Sequence, residues 1–200
     1  ALGMVTLFMF VDFNTISPGA NDNLTGTYAA VCALRMLDVA GVDFENTEVC
    51  AMITDGEEAG LRGCKSWAKN HYDEYVNSGV ETVVLCVDTL TDREYLRVYN
   101  KDMTGTVKNN QQFSQLVMDA SKDAGHDDIE LSSVFFGSSD AAAFSQAGIT
   151  ATCLAAMDPR PADYYHNRRD TADRLVPETI KTGFDVIIST ILNFDEKGLN

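Results

Sequence analysis

Apolar residues along this chain fall into short continuous runs, separated by stretches in which they recur every three or four positions. The runs Met4–Val11, Glu48–Thr54, Thr82–Val87, Leu131–Phe136 and Thr150–Ala155 read as strands, with Tyr95–Tyr99 as an additional candidate. Between them, Asn23–Ala40, Ala59–Tyr75 and Phe113–Ala124 read as helices. The third carries Phe113, Leu116, Val117, Ala120 and Ala124 on one face. A last helix starts with Pro177 in its first turn, turns Ile180, Phe184, Ile187, Ile188 and Ile191 inward, and stops near Gly198. The strand around TVVLCV is apolar at every position, which requires cover on both faces. The expected fold is therefore α/β: a three-layer α/β/α sandwich with a central mixed, mostly parallel sheet.

In such sheets the chemistry sits in loops at the carboxyl ends of the strands. Acids concentrate there. Glu48–Thr54 runs into Asp55-Gly56-Glu57-Glu58-Ala59-Gly60, and Thr82–Val87 ends at Asp88. The first run leads through Asp12 and the turn Ser17-Pro18-Gly19-Ala20-Asn21 to Asp22. Each acid alone fits a helix cap or a helix dipole. Several carboxylates at one sheet edge are another matter, because they repel and are costly to desolvate unless a divalent cation lies between them.

Zinc favours imidazole as a further ligand. His71 and His126 lie in polar stretches and read as surface residues. His166 lies between the strand at 150–155 and the last helix, in Asp163-Tyr164-Tyr165-His166-Asn167-Arg168-Arg169-Asp170-Thr171.

Charge narrows the partners. The formal net charge is −15, from 15 Lys and Arg against 30 acids, which argues against a nucleic-acid partner. Five cysteines without a C-x-x-C pair suit free thiols; Cys32, Cys50, Cys86 and Cys153 lie in apolar runs and are expected to be buried, in a reducing cytoplasmic compartment. Ala1–Val11 is too short to span a bilayer and lacks the basic flank of a signal peptide, so it reads as a buried strand. The alternative is the trimmed end of a membrane segment in a longer parent protein.

The ordered set of motifs resembles the M28 family of zinc metallopeptidases. Pro18-Gly19-Ala20-Asn21-Asp22-Asn23-Leu24-Thr25-Gly26 is similar to the family's P-G-A-x-D-[DN]-x-[ST]-G, and Gly56-Glu57-Glu58-Ala59-Gly60-Leu61-Arg62-Gly63 to its G-x-E-E-x-G-L-x-G. Tyr165-His166 with Asp170-Thr171 resembles Y-H-x-x-x-D-T, and Ser139-Asp140 with Phe144 to Gly148 resembles S-D-x-x-x-F-x-x-x-G-I. The match runs from about Val5 to the C-terminus. It implies one catalytic domain over residues 1–200, without the further N-terminal elements usual in the family domain.

The resemblance implies metal ligands Asp22, Glu58, Asp88 and His166, Glu57 as general base and Tyr165 as oxyanion donor. It also implies a cis Asp22–Asn23 peptide and an aminopeptidase acting on peptides with a free N-terminus. Two departures matter. The family opens its metal set with H-x-D, whereas this chain reads Phe10-Val11-Asp12, and no histidine precedes His71. The expectation is one tightly held zinc on Asp22, Glu58 and His166, with a second site weak or absent unless a histidine lies further upstream in a longer protein. Ala141 stands where many relatives have His, which leaves specificity open. Two other readings remain: a single-zinc glutaminyl-cyclase-like enzyme, and a non-catalytic binding module with a degraded metal site.

Overall fold

The structure is a computed structural model that describes residues 16–160 and 162–199. The expected strand Met4–Val11, with Phe10 and Asp12, lies outside the described residues.

Apolar strands and one-faced helices assemble as expected into a sheet with helices on both sides. The strands are β1 (Val83–Asp88), β2 (Leu96–Asp102), β3 (Val107–Lys108), β4 (Glu130–Ser133) and β5 (Thr150–Ala156). β1 pairs parallel with β5, β5 antiparallel with β2, and β2 both parallel with β4 and antiparallel with β3. The helices are α1 (Gly26–Val39), α2 (Arg62–Tyr75), α3 (Gln111–Asp123), α4 (Asp140–Gln146) and α5 (Pro177–Lys197).

Period-two alternation splits the core. Leu96, Val98, Leu154 and Ala156 face a cluster with Ala29 and Ala33 of α1, Phe113 and Val117 of α3, and Val186 and Ile187 of α5. Ala151, Cys153 and Ala155 face the opposite cluster, with Cys64 and Ala68 of α2 and Ala141 to Phe144 of α4. The three-layer α/β/α reading holds.

Several boundaries move for local reasons. The helix expected from Asn23 starts at Gly26, because Asp22 and Asn23 have non-helical backbone within a wide turn, Ala20–Thr25. The helix expected from Ala59 starts at Arg62, since Gly60 (φ 93°) and Leu61 (φ 59°) break the helical path first. Of the candidate Tyr95–Tyr99, Leu96 to Tyr99 open β2, which pairs with three other strands, while Tyr95 closes the 3-10 turn Arg93–Tyr95. Leu131–Phe136 shortens to β4, and Phe135 and Phe136 are exposed beyond it. Glu48–Thr54 forms no ladder among the described residues; an apolar run shows that a segment is extended, but only a paired neighbour makes it a strand. The short α4 and β3 were not foreseen. α5 ends at Gly198, where a left-handed cap is expected, but its φ of 60° and ψ of −148° lie outside the left-handed helical region.

All five cysteines are free thiols. Cys64 and Cys153 are buried, but Cys32 and Cys50 are exposed, contrary to expectation. Cys32 lies on α1, whose inward face is taken by Ala29, Ala33 and Leu37. No helix among the described residues is long and apolar enough to cross a membrane.

Gly26 joins this framework to the site. A Cβ there would lie 2.2 Å from the Val87 carbonyl oxygen and 2.5 Å from Asn23 Oδ1. Only glycine lets α1 start against the end of β1. Gly26→Ala should lower stability by ~3 kcal/mol, the upper part of the range for overpacking. Urea denaturation measures it, and an unchanged midpoint would contradict this close approach.

Candidate metal centre

Two consecutive acids leave a tight turn before α2. The Glu57 carbonyl accepts from the amides of Gly60 (2.9 Å) and Leu61 (2.7 Å), and the Gly56 carbonyl accepts from Arg62 N (3.0 Å). Gly56 itself has φ 64°, a left-handed conformation that suits glycine. A Cβ on Gly63 would meet the Asp55 carbonyl oxygen at 2.3 Å, so this glycine lets α2 sit close beneath the turn.

Asp22 is held from three directions. Asp170, buried in the loop before α5, accepts from Asn21 N through Oδ1 (2.7 Å) and from Asp22 N through Oδ2 (2.9 Å). Asn23 donates through Nδ2 to the Val87 carbonyl (2.9 Å), while its Oδ1 accepts from Gly26 N (3.0 Å) and Thr89 N (3.2 Å). Asn21 Oδ1 accepts from Thr91 N (3.2 Å), and Thr25 Oγ1 accepts from Leu90 N (3.1 Å). The Asp22 loop is thereby sewn to the residues that follow β1. The Asp22–Asn23 peptide is cis, as the resemblance implies.

His166 arrives on a loop pinned by Tyr164, whose hydroxyl accepts from Asn21 Nδ2 (2.9 Å) and donates to Asp92 Oδ2. Its backbone is left-handed (φ 56°), and so is that of Thr89 (φ 43°) just after Asp88. A β-branched residue in that region is uncommon, and such conformations concentrate at functional sites.

These elements bring three side chains together. His166 Nε2 lies 3.3 Å from Asp22 Oδ2 and 3.0 Å from Glu58 Oε1. One ligand atom from each of Asp22, Glu58 and His166 lies within 4.8 Å of the other two. One ring nitrogen carries at most one proton, so it cannot donate well to two carboxylates at once. A cation at their common focus would be shared by all three. The Asp22 carboxylate, then that of Glu58, both facing the ring, push His166 up to about 10.

Asp88 lines the same cavity but stands outside this group of three. Its Oδ1 is buried without a hydrogen-bond partner. Desolvation, then the Asp22 and Glu57 carboxylates, push its carboxyl well above the usual carboxylate range. An orphaned carboxylate oxygen beside an imidazole and two further carboxylates fits zinc.

Glu57 also lines this cavity. Burial, then the neighbouring carboxylates of Glu58, Asp140 and Asp22, push it up to about 7. Tyr165 stacks on the His166 ring, with centroids 3.7 Å apart. Burial and the Asp22 carboxylate push its phenol upward, so it stays a donor. The structure thus gathers all six residues singled out from the sequence around one cavity of about 340 Å³. His71 is paired with Glu74 and stacked on Trp67, away from the cavity. His126 lies 3.5 Å from Asp185 of α5 and is half-buried rather than on the open surface.

Sequence reasoning missed the supports. Asp170, Asn21, Asn23, Tyr164 and Asp92 touch no ligand focus, yet they fix where Asp22 and His166 stand. The signal was present in Asp170 and Asn23, both inside the quoted motifs. A second support is buried Asp102, which accepts from Ser139 N (3.0 Å) and Ser139 Oγ (2.6 Å) at the start of α4. Asp170→Asn can keep only one of the two amide contacts, and outer-shell changes typically weaken metal binding by about 10–100-fold. A competition titration with a chromophoric chelator should show a loss in that range; unchanged zinc affinity would remove Asp170 from the supporting shell.

Comparison with known proteins agrees with this geometry. The sequence model described as "Peptidase family M28" matches residues 6–191. Aminopeptidase YwaD of Bacillus subtilis (strain 168) is 27% identical over 194 residues, covering 88% of this chain and 37% of that protein. Among solved structures, a zinc aminopeptidase from Bacillus subtilis superposes with TM-score 0.70 at 23% identity, covering 88% of this chain and 42% of that one. The LapA aminopeptidase of Legionella pneumophila superposes with TM-score 0.74 at 17% identity, covering 94% and 49% respectively. This chain spans less than half the length of each. Motif order, sheet architecture and the family match over nearly the whole sequence agree: the chain belongs to peptidase family M28.

Proposed function

We propose that this chain is a zinc-dependent aminopeptidase, removing residues from the free N-terminus of peptides. The observation that carries the reading is the convergence of Asp22, Glu58 and His166 on one focus, with Glu57 on the wall of the same cavity. Asp22, Glu58 and His166 would hold one zinc tightly, and Asp88, outside their group and without a second histidine at the site among the described residues, would make a second site weak. When bound, zinc supplies a water of lowered pKa and polarises the scissile carbonyl.

The chain's own groups do the rest. Glu57 takes the proton of the attacking water and returns it to the departing amine. The Tyr165 hydroxyl donates to the oxygen that gains charge as the carbonyl becomes tetrahedral. The carboxylates around the cavity favour a substrate's α-ammonium group, which supports exopeptidase over endopeptidase action.

Zinc-loaded protein should hydrolyse leucine 4-nitroanilide and lose this activity to a chelator. The N-acetyl analogue should react at least about 100-fold more slowly, since it lacks the ammonium. Equal rates on both would overturn the exopeptidase reading. Ammonia release from an N-terminal glutamine peptide, with no nitroanilide turnover, would point to cyclisation.

A further inference from the structure

Asp88 of β1, Ala155 of β5, Arg97 of β2 and Glu130 of β4 stand in one register across the sheet. Residues paired in this way project to the same face. Arg97 therefore points to the side on which Asp88 lines the candidate metal centre. Two strand spacings, about 10 Å, separate their backbones. Between them stands Ala155, a small residue that also lines the cavity. Arg97, Tyr95, Tyr99, Phe136, Met157 and Pro159 continue the cavity away from the metal ligands.

Arg97 is a conspicuous group in that wall. Its side chain is a quarter exposed, it donates through Nη1 to its neighbour's carbonyl (Leu96, 2.8 Å), and its Nε stands 3.9 Å from Glu130. That distance is beyond a hydrogen bond, and the Glu130 side chain is 75% exposed. A guanidinium offers five N–H donors in a fork that matches a carboxylate. The other acid nearby, Asp158, is already engaged by Arg160 through two bonds of 2.9 and 3.0 Å. Among the described residues, most of the Arg97 donors are left for something that enters the cavity.

We propose that Arg97 reads a carboxylate on the side chain of the substrate's first residue, making this a site for N-terminal glutamate or aspartate. The assignment rests on the aminopeptidase reading. The α-ammonium sits among the acids at one end of the cavity, and the side chain runs over Ala155 towards Arg97. The isosteric glutamine side chain would leave the guanidinium without its charged partner, so the discrimination is electrostatic rather than a matter of size.

The test compares zinc-loaded wild type, Arg97→Gln and Arg97→Lys on the 4-nitroanilides of glutamate, glutamine and leucine. Wild type should prefer glutamate to glutamine in kcat/KM by about 100-fold, Arg97→Gln should abolish the preference, and Arg97→Lys should retain part of it. Turnover of leucine with no glutamate preference overturns the Arg97 assignment and leaves the aminopeptidase reading standing. A dipeptide arm separates the other source of a carboxylate. If Arg97→Gln erases discrimination between Leu-Gly and Leu-Gly-amide but not between glutamate and glutamine, the group reads the substrate's C-terminus and the proposal fails. If no substrate is turned over, the aminopeptidase reading fails. Calorimetric titration of zinc-loaded wild type with free L-glutamate and L-glutamine then decides the Arg97 assignment, with equal affinities refuting it.

Discussion

Glu57→Gln should lower kcat by about 10³-fold while the protein still retains one equivalent of zinc. The substitution keeps the shape of the side chain and removes only its capacity to accept a proton. Burial and the Glu58, Asp140 and Asp22 carboxylates already push the Glu57 carboxyl up to about 7, within the range useful to a general base near neutrality. Glu57 is not one of the three side chains at the metal focus, so zinc content and folding should be spared. The turn that presents it is held by the Glu57 carbonyl and the Gly56 carbonyl, neither of which the substitution touches. Zinc analysis, thermal denaturation and steady-state kinetics on one preparation separate the effects. Chelator-sensitive turnover at wild-type rate would falsify the base assignment.

The same turn shows what a sequence does and does not disclose. Two adjacent glutamates between glycines at a sheet edge were legible, because Gly56, Gly60 and Gly63 mark where the backbone must bend or approach closely. The start of α2 was not. Its apolar period extends back to Ala59, but Gly60 and Leu61 take left-handed conformations that only the surrounding contacts impose.

β2 illustrates a different limit. Its residues alternate Leu96, Arg97, Val98, Tyr99, which made it only an additional strand candidate, yet it pairs with three other strands. Arg97 and Tyr99 line the cavity, so polar positions in this strand do not mark a sheet edge. Asp170 was legible as part of a motif, without its role, and Asp102, at the end of β2, carried no signal. Their worth lies in the amides and the hydroxyl they accept from, and those partners come from segments up to 149 residues away.

His166→Ala should abolish most of the stabilisation that zinc gives the wild type. A ligand at about 1,000 times its dissociation constant stabilises a fold by about 4 kcal/mol, provided the unfolded chain does not bind it. For a chain of this size that corresponds to a melting temperature higher by about 8–16 °C, at about 2–4 °C per kcal/mol. The imidazole faces both Asp22 and Glu58, and removing it leaves two carboxylates with no nitrogen donor, a poor set for zinc. Its loss should exceed the roughly 10–100-fold typical of a supporting residue, so the zinc-induced shift in His166→Ala should shrink to a few degrees at the same metal concentration. Asp88→Ala is the companion experiment. If Asp22, Glu58 and His166 form the tight site, that variant should keep the full zinc-induced shift, since Asp88 stands outside their group. A collapse of the shift in Asp88→Ala, with His166→Ala unaffected, would place the ion at the buried end of the cavity instead.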